Sequence, residues 1–450
     1  MFARLLTTIY AMSACLAHNF TVCDSGINFA GIKTISLSPD PPVTGEDLKV
    51  TLAGTSQIFL GEPTAHFEFS IMGVPLSTLD VDLCKNNDCP ILKNTPYELL
   101  MSYPIPDEHL GNLNIDVAVT IKDVANTVGC YELVTPIINK NLWSIHHSSY
   151  LFHKWIFHYN KSYDSLDEYL DRLAIFDHNT NYILSHTHKS FSLAHNELSD
   201  KTPDEYQKLL GYKYVPKKNY NYVTSIPFRI PSNITVGVDW RTKGAVTPVK
   251  NQGSCGSCWS FSTTGALEGA HFIKTGDLVE FSEEELVSCD KTDNGCNGGL
   301  MDNAFKWISN NGLCSEQDYP YTSGTGAVDE CKTSCVPVDA SNVINYVDVK
   351  QTMGDLEAAV SRQPVSIAIE ADKLSFQLYS KGVYHSDCGT NLDHGVLLVG
   401  YGLQDDLDYW IVKNSWGDTW GDKGYIKLLK NSLVKGGECG ILLSASYPEV

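Results

Sequence analysis

The sequence predicts a multidomain chain: an all-β sandwich, then an α-helical segment, then an α+β domain of two unlike halves. Three observations carry this. Leu113-Asn114-Ile115-Asp116-Val117-Ala118-Val119-Thr120-Ile121-Lys122 alternates apolar and polar residues with period two, the pattern of a half-buried strand. Glu168, Arg172, Phe176, Asn179 and Ile183 recur at offsets of three and four, which places them on one helical face. From Cys258 onward helix-like segments come first, and after Val343 strand-like ones take over.

At the start, Met1 to Ala17 has Arg4, an apolar stretch from Leu5 and small residues before His18. That is the layout of a secretory leader too short to span a membrane. Residues 18–138 form the first domain. Leu48-Lys49-Val50-Thr51-Leu52 alternates briefly, and turn-rich pieces such as Ser38-Pro39-Asp40-Pro41-Pro42 separate the strands. Its four cysteines fit two bridges, Cys23–Cys130 joining the ends and Cys84–Cys89 closing a tight loop. Alternation alone says nothing about a ligand.

Residues 139–233 carry the amphipathic helix, in which Glu168 and Arg172 have a favourable ion-pair spacing. Eight of the fourteen histidines fall here: His146, His147, His153, His158, His178, His186, His188 and His195.

Residues 234–450 hold the chemistry. Gln252-Gly253-Ser254-Cys255-Gly256-Ser257-Cys258-Trp259 leads into a stretch whose Trp259, Ala266, Leu267 and Ala270 suit a buried helix. A thiol at a helix N-terminus feels the positive end of the dipole, which favours the thiolate. Gln252 can set a side-chain amide beside the backbone N–H of Cys258, two donors for a tetrahedral oxyanion. His394 precedes Val396-Leu397-Leu398-Val399, and Asn414 follows Tyr409-Trp410-Ile411-Val412. Two neighbouring strands, one starting at the histidine and one ending at the asparagine, would let Asn414 accept the imidazole N–H. The other ring nitrogen then serves Cys258 as a thiolate–imidazolium pair under a Trp416 cover. Cys255-x-x-Cys258 could instead open a zinc site, but the leader and the absence of a second closely spaced Cys-x-x-Cys argue against a metal.

In order and local context, Cys258, His394, Asn414 and Gln252 resemble the papain-like cysteine proteases, from about Ile234 to Val450. Val238-Asp239-Trp240-Arg241 resembles that family's mature N-terminal segment. Gly295-Cys296-Asn297-Gly298-Gly299-Leu300-Met301 is similar to its substrate-cleft loop in the cathepsin L-like version. The resemblance implies a cysteine endopeptidase with a cleft between a helical half and a barrel-like sheet, and no cofactor. It implies substrate contacts from Gly256, Gly298, Gly299, Asp393, Trp416 and Trp420. Leu300, Met301, Ala368, Leu392 and Ser444 would line the pocket for the second residue upstream of the cut. It also pairs Cys255 with Cys296, Cys289 with Cys331 and Cys388 with Cys439. Cys314 and Cys335 remain and are paired by elimination, leaving Cys258 free once Cys15 goes with the leader.

Residues 139–233 resemble the inhibitory propeptide of cathepsin L-like enzymes, through the helical motif above and Ala194-His195-Asn196-Glu197-Leu198-Ser199-Asp200. Ala194 and Leu198 replace the usual glycine and phenylalanine, and Thr187 replaces the first motif's last asparagine. Such segments lie along the cleft in reverse and block it until cut. Leu37-Ser38-Pro39-Asp40-Pro41-Pro42, Gly45, Asp82-Leu83-Cys84, Cys89-Pro90 and Cys130-Tyr131-Glu132 look like the ML lipid-recognition family. Its members, among them Niemann-Pick type C2-like sterol carriers, hold a lipid between the sheets of an immunoglobulin-like sandwich. The alternative is a sandwich serving as spacer or adhesion module.

The net charge of -20 argues against nucleic-acid binding and suits an acidic vesicle or secretion. Asn19, Asn160 and Asn233 open glycosylation tripeptides. The expected partners are peptide substrates, the chain's own propeptide and a lipid or sterol-like ligand; no transmembrane segment is expected. A lipid carrier with an inactive C-terminal scaffold is the rival class.

Overall fold

The computed structural model describes residues 17–18, 20–23, 28–38, 47–71, 73–85, 89–104, 113–124, 126–137, 147–188, 190–213, 237–332, 334–385 and 387–450. The leader up to residue 16, the acceptor tripeptides' Asn19 and Asn233, and His146 lie outside them. The chain forms two compact units, Met1–Leu173 and Ala174–Val450. No helix among the described residues is long and apolar enough to cross a membrane.

The first unit contains the β-sandwich. Strands β1 (Ala17–His18), β2 (Phe20–Val22), β3 (Ile32–Ser38), β4 (Asp47–Thr55), β5 (Pro63–Ile71), β6 (Val74–Asp82), β7 (Pro96–Pro104), β8 (Leu113–Asp123) and β9 (Asn126–Ile137) build two antiparallel sheets. One has the order β1-β3-β4-β7 and the other β2-β9-β8-β5-β6. The alternation read from the sequence is the sheet's own: Leu48, Val50 and Leu52 of β4 face inward, as do Val117, Val119 and Ile121 of β8. Bridges Cys23–Cys130 and Cys84–Cys89 tie the sandwich. Beyond it, α1 (His147–His158) buries Phe152 and Trp155, whose rings stack 5.7 Å apart. In α2 (Leu166–Ser185), Arg172 meets Glu168 at 3.5 Å, one turn apart.

The second unit begins inside α2, where Phe176, Asn179, Thr180 and Ile183 form the buried face. Asn179 donates its side-chain N–H to the Ser199 carbonyl, which ties the helix to the following loop. Then β10 (Phe191–Leu193) is followed by α3 (Pro203–Gln207), a short helix opened by a capping box between Thr202 and Glu205. Next come β11 (Val238–Asp239) and the long α4 (Cys258–Thr275), buried from Cys258 to His271 and closed by Gly276 at φ 86°. Helices α5 (Glu283–Cys289) and α6 (Met301–Asn311) complete the helical half.

The other half is a sheet. It comprises β12 (Asn345–Asp348), β13 (Val365–Ile369), β14 (Tyr379–Tyr384), β15 (His394–Gln404), β16 (Leu407–Lys413), β17 (Tyr425–Leu429) and β18 (Ala445–Glu449), with α7 (Met353–Val360) and α8 (Leu374–Gln377) between strands. The order is β10-β14-β17-β16-β15-β13-β18-β12, with β11 beside β15. Helix α4 lies against β15 so closely that a Cβ on Gly265 would stand 2.7 Å from the Leu397 side chain. Ser262 and Ser366 sew helix to sheet, donating to the carbonyls of Val396 and Ser262. That contact brings the N-terminus of α4 to the start of β15.

Candidate active site

Cys258 is the first residue of α4, His394 the first of β15, and Asn414 the residue after β16. Strands β15 and β16 are antiparallel neighbours with Leu397 opposite Lys413, so histidine and asparagine share one end of the pair. The His394 Nε2–H donates to Asn414 Oδ1 at 2.8 Å, and the Trp416 indole stacks on the imidazole at 4.7 Å. That bond leaves Nδ1 as the ring's other nitrogen, buried and without a protein partner. The Gly395 N–H donates to Cys258 Sγ at 3.3 Å. Cys258 is the free cysteine among the described residues. The structure holds the bridges Cys255–Cys296, Cys289–Cys331, Cys314–Cys335 and Cys388–Cys439.

Behind the pair is a buried ionic network that the sequence did not disclose. Lys413 donates to the Thr247 carbonyl and hydroxyl, and Thr247 to Glu268 at 2.6 Å. Lys250 bridges Glu268 at 2.9 Å and Glu283 at 2.7 Å. Burial lowers the Lys413 ammonium to about 8. The network sits on residues flanking Asn414 and Gln252, and only their scattered lysines and glutamates gave any signal.

The cleft is filled by the chain itself. After α3, Leu209 to Lys213 runs across the site. The Gln252 side-chain N–H groups donate to the carbonyls of Leu209 (2.9 Å) and Cys255 (2.7 Å), while Ser415 Oγ donates to Gln252 Oε1. A carbonyl of the covering segment thus occupies the amide expected to hold an oxyanion. Gly211 passes over Gly256 so tightly that a Cβ there would come within 1.8 Å of the Gly256 carbonyl oxygen. Gly299 N–H donates to the Gly211 carbonyl at 2.9 Å, Tyr212 N–H to the Asp393 carbonyl at 2.9 Å, and Lys213 N–H to the Gly299 carbonyl at 3.3 Å. The Tyr212–Gly299 pairing is parallel. Tyr212 joins the apolar cluster of Met301, Ala368 and Leu392, with Leu300 packed against it, and its hydroxyl meets Ser444 Oγ at 2.8 Å. Upstream, Tyr206 stands edge-on to Trp416 at 5.5 Å and donates its hydroxyl to the Ala371 carbonyl. Gly298, at φ 106°, has its Cβ position 2.3 Å from the Gly211 carbonyl oxygen.

Trp420 lies fully buried and edge-on to Trp416 at 5.1 Å, its N–H on the Gln377 carbonyl. In this covered form it stands behind Trp416, and the same Gln377 carbonyl also accepts the Asn196 side-chain N–H of the covering segment. In this covered form burial pushes the Cys258 thiol up, to about 11, and the His394 imidazole down, to about 4, each toward its neutral form. Sequence reading also missed Leu209, Gly211 and Tyr212 as the blocking residues. The run Leu209-Leu210-Gly211-Tyr212 just after a capped helix was the available signal.

Comparison with known proteins places each part. Residues 234–449 match the papain family cysteine protease, 152–206 the cathepsin propeptide inhibitor domain, and 17–137 the ML domain. A probable cysteine protease, RD21C of Arabidopsis thaliana, is 42% identical over 309 residues, covering 66% of this chain and 67% of that one. Cathepsin L1 of Drosophila melanogaster is 45% identical over 322 residues, covering 66% of this chain and 84% of its own. Among solved structures, the proform of the ragweed pollen cysteine protease Amb a 11 superposes with TM-score 0.60 at 36% identity, over 68% of this chain and 95% of its own. Digestive procathepsin L 3 of Tenebrio molitor larval midgut gives 0.59 at 34%, over 68% and 100%.

Proposed function

Because the chain belongs to the papain family of cysteine proteases, we propose that it is an endopeptidase zymogen whose nucleophile is Cys258, with an ML domain that takes a lipid or sterol-like ligand. The observation that carries the catalytic part is the His394–Asn414 hydrogen bond, one residue from the Gly395 N–H that donates to Cys258 Sγ. Once the covering segment leaves, His394 Nδ1 takes the Cys258 proton and the thiolate attacks the scissile carbonyl carbon. The oxyanion is held by the Gln252 side-chain N–H and the Cys258 backbone N–H. Collapse breaks the C–N bond as His394 returns the proton to the leaving amine. Water, deprotonated by the same imidazole, then hydrolyses the thioester and restores the thiol. Asn414 orients the ring, and the Trp416 stack limits water access.

The position of Tyr212 among Met301, Ala368, Leu392 and Ser444 supports these residues as the pocket for the second residue upstream of the cut. An apolar pocket with Ser444 at its edge favours Leu, Val or Phe, because a buried Arg there would lack a counter-charge. A peptide-library profile led by Arg at that position contradicts the assignment. For catalysis, Cys258→Ala in folded, processed protein abolishes turnover and labelling by a thiol-directed probe. His394→Ala costs about 10²- to 10⁴-fold in kcat/KM, and Asn414→Ala less than that. Near-normal turnover by Cys258→Ala ends the proposal.

The lipid reading rests on the ML match and on the inward apolar faces of both sheets. Native mass spectrometry of the intact zymogen should carry one lipid-sized adduct. A bare polypeptide after exposure to several lipid classes favours the spacer. Secretion or delivery to a lysosome or vacuole fits the leader and the relatives.

A further inference from the structure

Under the loop that grips the covering segment lie two buried carboxyls. Asp290 follows the last residue of α5, its N–H on the Leu286 carbonyl and its Oδ1 accepting the Thr292 N–H at 2.8 Å. Three residues on, Asp293 Oδ1 accepts the Leu300 N–H and the Asn303 side-chain N–H, both at 3.0 Å. Asp290 is 2% exposed and Asp293 8%. The two carboxyls are within hydrogen-bond reach of each other, and each has a buried Oδ2 with no hydrogen-bond partner. Two ionised carboxylates only accept, so they cannot bond; a carboxylic acid and a carboxylate can, through one proton. Calcium takes six to eight oxygens, so a proton suits two carboxyls better than a cation does.

Burial, opposed by the Asn303 hydrogen bond and reinforced by Asp290, pushes the Asp293 carboxyl up, to about 7. The other charged groups on the elements around it are Lys291, whose ammonium donates to the Ser288 carbonyl, Asp302 at the start of α6 and, in the zymogen, Lys213 of the covering segment. What depends on the pair is the loop. Gly299 donates its N–H to the Gly211 carbonyl and accepts the Lys213 N–H, so it presents the backbone along which an extended chain lies. A Cβ on Gly299 would stand 2.7 Å from Asp293 Cγ and 2.6 Å from the Trp259 ring. With the loop wedged between these two side chains and Leu300 bonded to Asp293, a shift of Asp293 moves the loop.

Resting on the endopeptidase reading, we propose that Asp290 and Asp293 share one proton and act as positioning residues, holding the backbone of Gly298, Gly299 and Leu300 in register for the substrate peptide. Loss of that proton sets two buried negative charges against each other. Asp290 is tied to the end of α5, so Asp293 gives way and takes Leu300 with it. The sign follows from the raised value: the fold holds the proton more tightly than the unfolded chain, where an aspartate titrates near ~3.9. The pair's contribution to stability is therefore full below pH ~4 and is lost as pH rises from there to about 7.

The test compares the parent with Asp293→Asn, which keeps the Oδ1 acceptor and offers Asp290 a donor. In peptide hydrolysis by the processed enzyme, KM of the parent should rise about tenfold between about pH 6 and about pH 8, while kcat follows the same course in both proteins. KM of Asp293→Asn should stay nearly level over that range. Thermal melting of the intact zymogen, carrying Cys258→Ala to prevent processing, needs no turnover. There the Tm advantage of Asp293→Asn should grow as pH rises from about 5 to about 7 and then level off. An Asp293→Asn enzyme whose KM climbs as the parent's does, or a Tm difference that ignores pH, overturns the proposal. Absence of cleavage by either protein counts against the endopeptidase reading, and the melting series still decides whether the proton is shared.

Discussion

His195 lies flat on Phe176, ring centroids 3.8 Å apart, with Nε2 3.0 Å from the Thr180 hydroxyl and Nδ1 buried without a partner. Burial depresses its pKa to about 3. The released segment has an ordinary histidine near 6.5, so it binds the proton first. The stability His195 contributes is full above pH ~6.5 and is lost as pH falls from there toward 3, at about 1.4 kcal/mol per pH unit across the window. The other histidines differ: His153, His158, His178 and His188 are exposed, and His186 is half-buried. Among the histidines of the cluster whose surroundings are described, His195 is the fully buried one. His195→Leu should shift the onset of autoprocessing to lower pH, while His178→Gln leaves it in place. An unchanged pH profile for His195→Leu would move the trigger away from this residue to carboxylates.

At the level of elements, inhibition depends on a backbone laid backwards. The Leu209–Lys213 run bonds to Gly299 and Asp393 through its main chain, and only a glycine fits where it crosses Gly256. Gly211→Ala should lift the segment and weaken inhibition by the added propeptide by about tenfold or more, since overpacking costs about 1–3 kcal/mol. Inhibition assays with the propeptide in trans on mature enzyme read this directly. Cys258, His394, Asn414 and Gln252 were legible in the sequence because their chemistry demands fixed residue types next to fixed elements. The α2 face was legible because a 3.6-residue period survives in any helix that packs. Gly211 was not, since it owes its role to Gly256, a neighbour far along the chain that no local pattern marks.

Across the whole molecule, the part of the propeptide from Ala174 onward is a structural member of the second unit as well as its stopper. Strand β10 pairs with β14, Phe191 opposite Gly382, and Val383 N–H donates to the Ser190 carbonyl. Gly382, at φ 93°, admits that backbone to a distance where a Cβ would strike the Ser190 oxygen at 2.3 Å. The β14 edge is thus shaped to receive a strand that maturation takes away. A mature chain that loses its structure must rebuild the sheet with that border open to water or to any passing extended peptide. Activation in this protein is therefore a one-way departure from the conditions under which the sheet was first assembled.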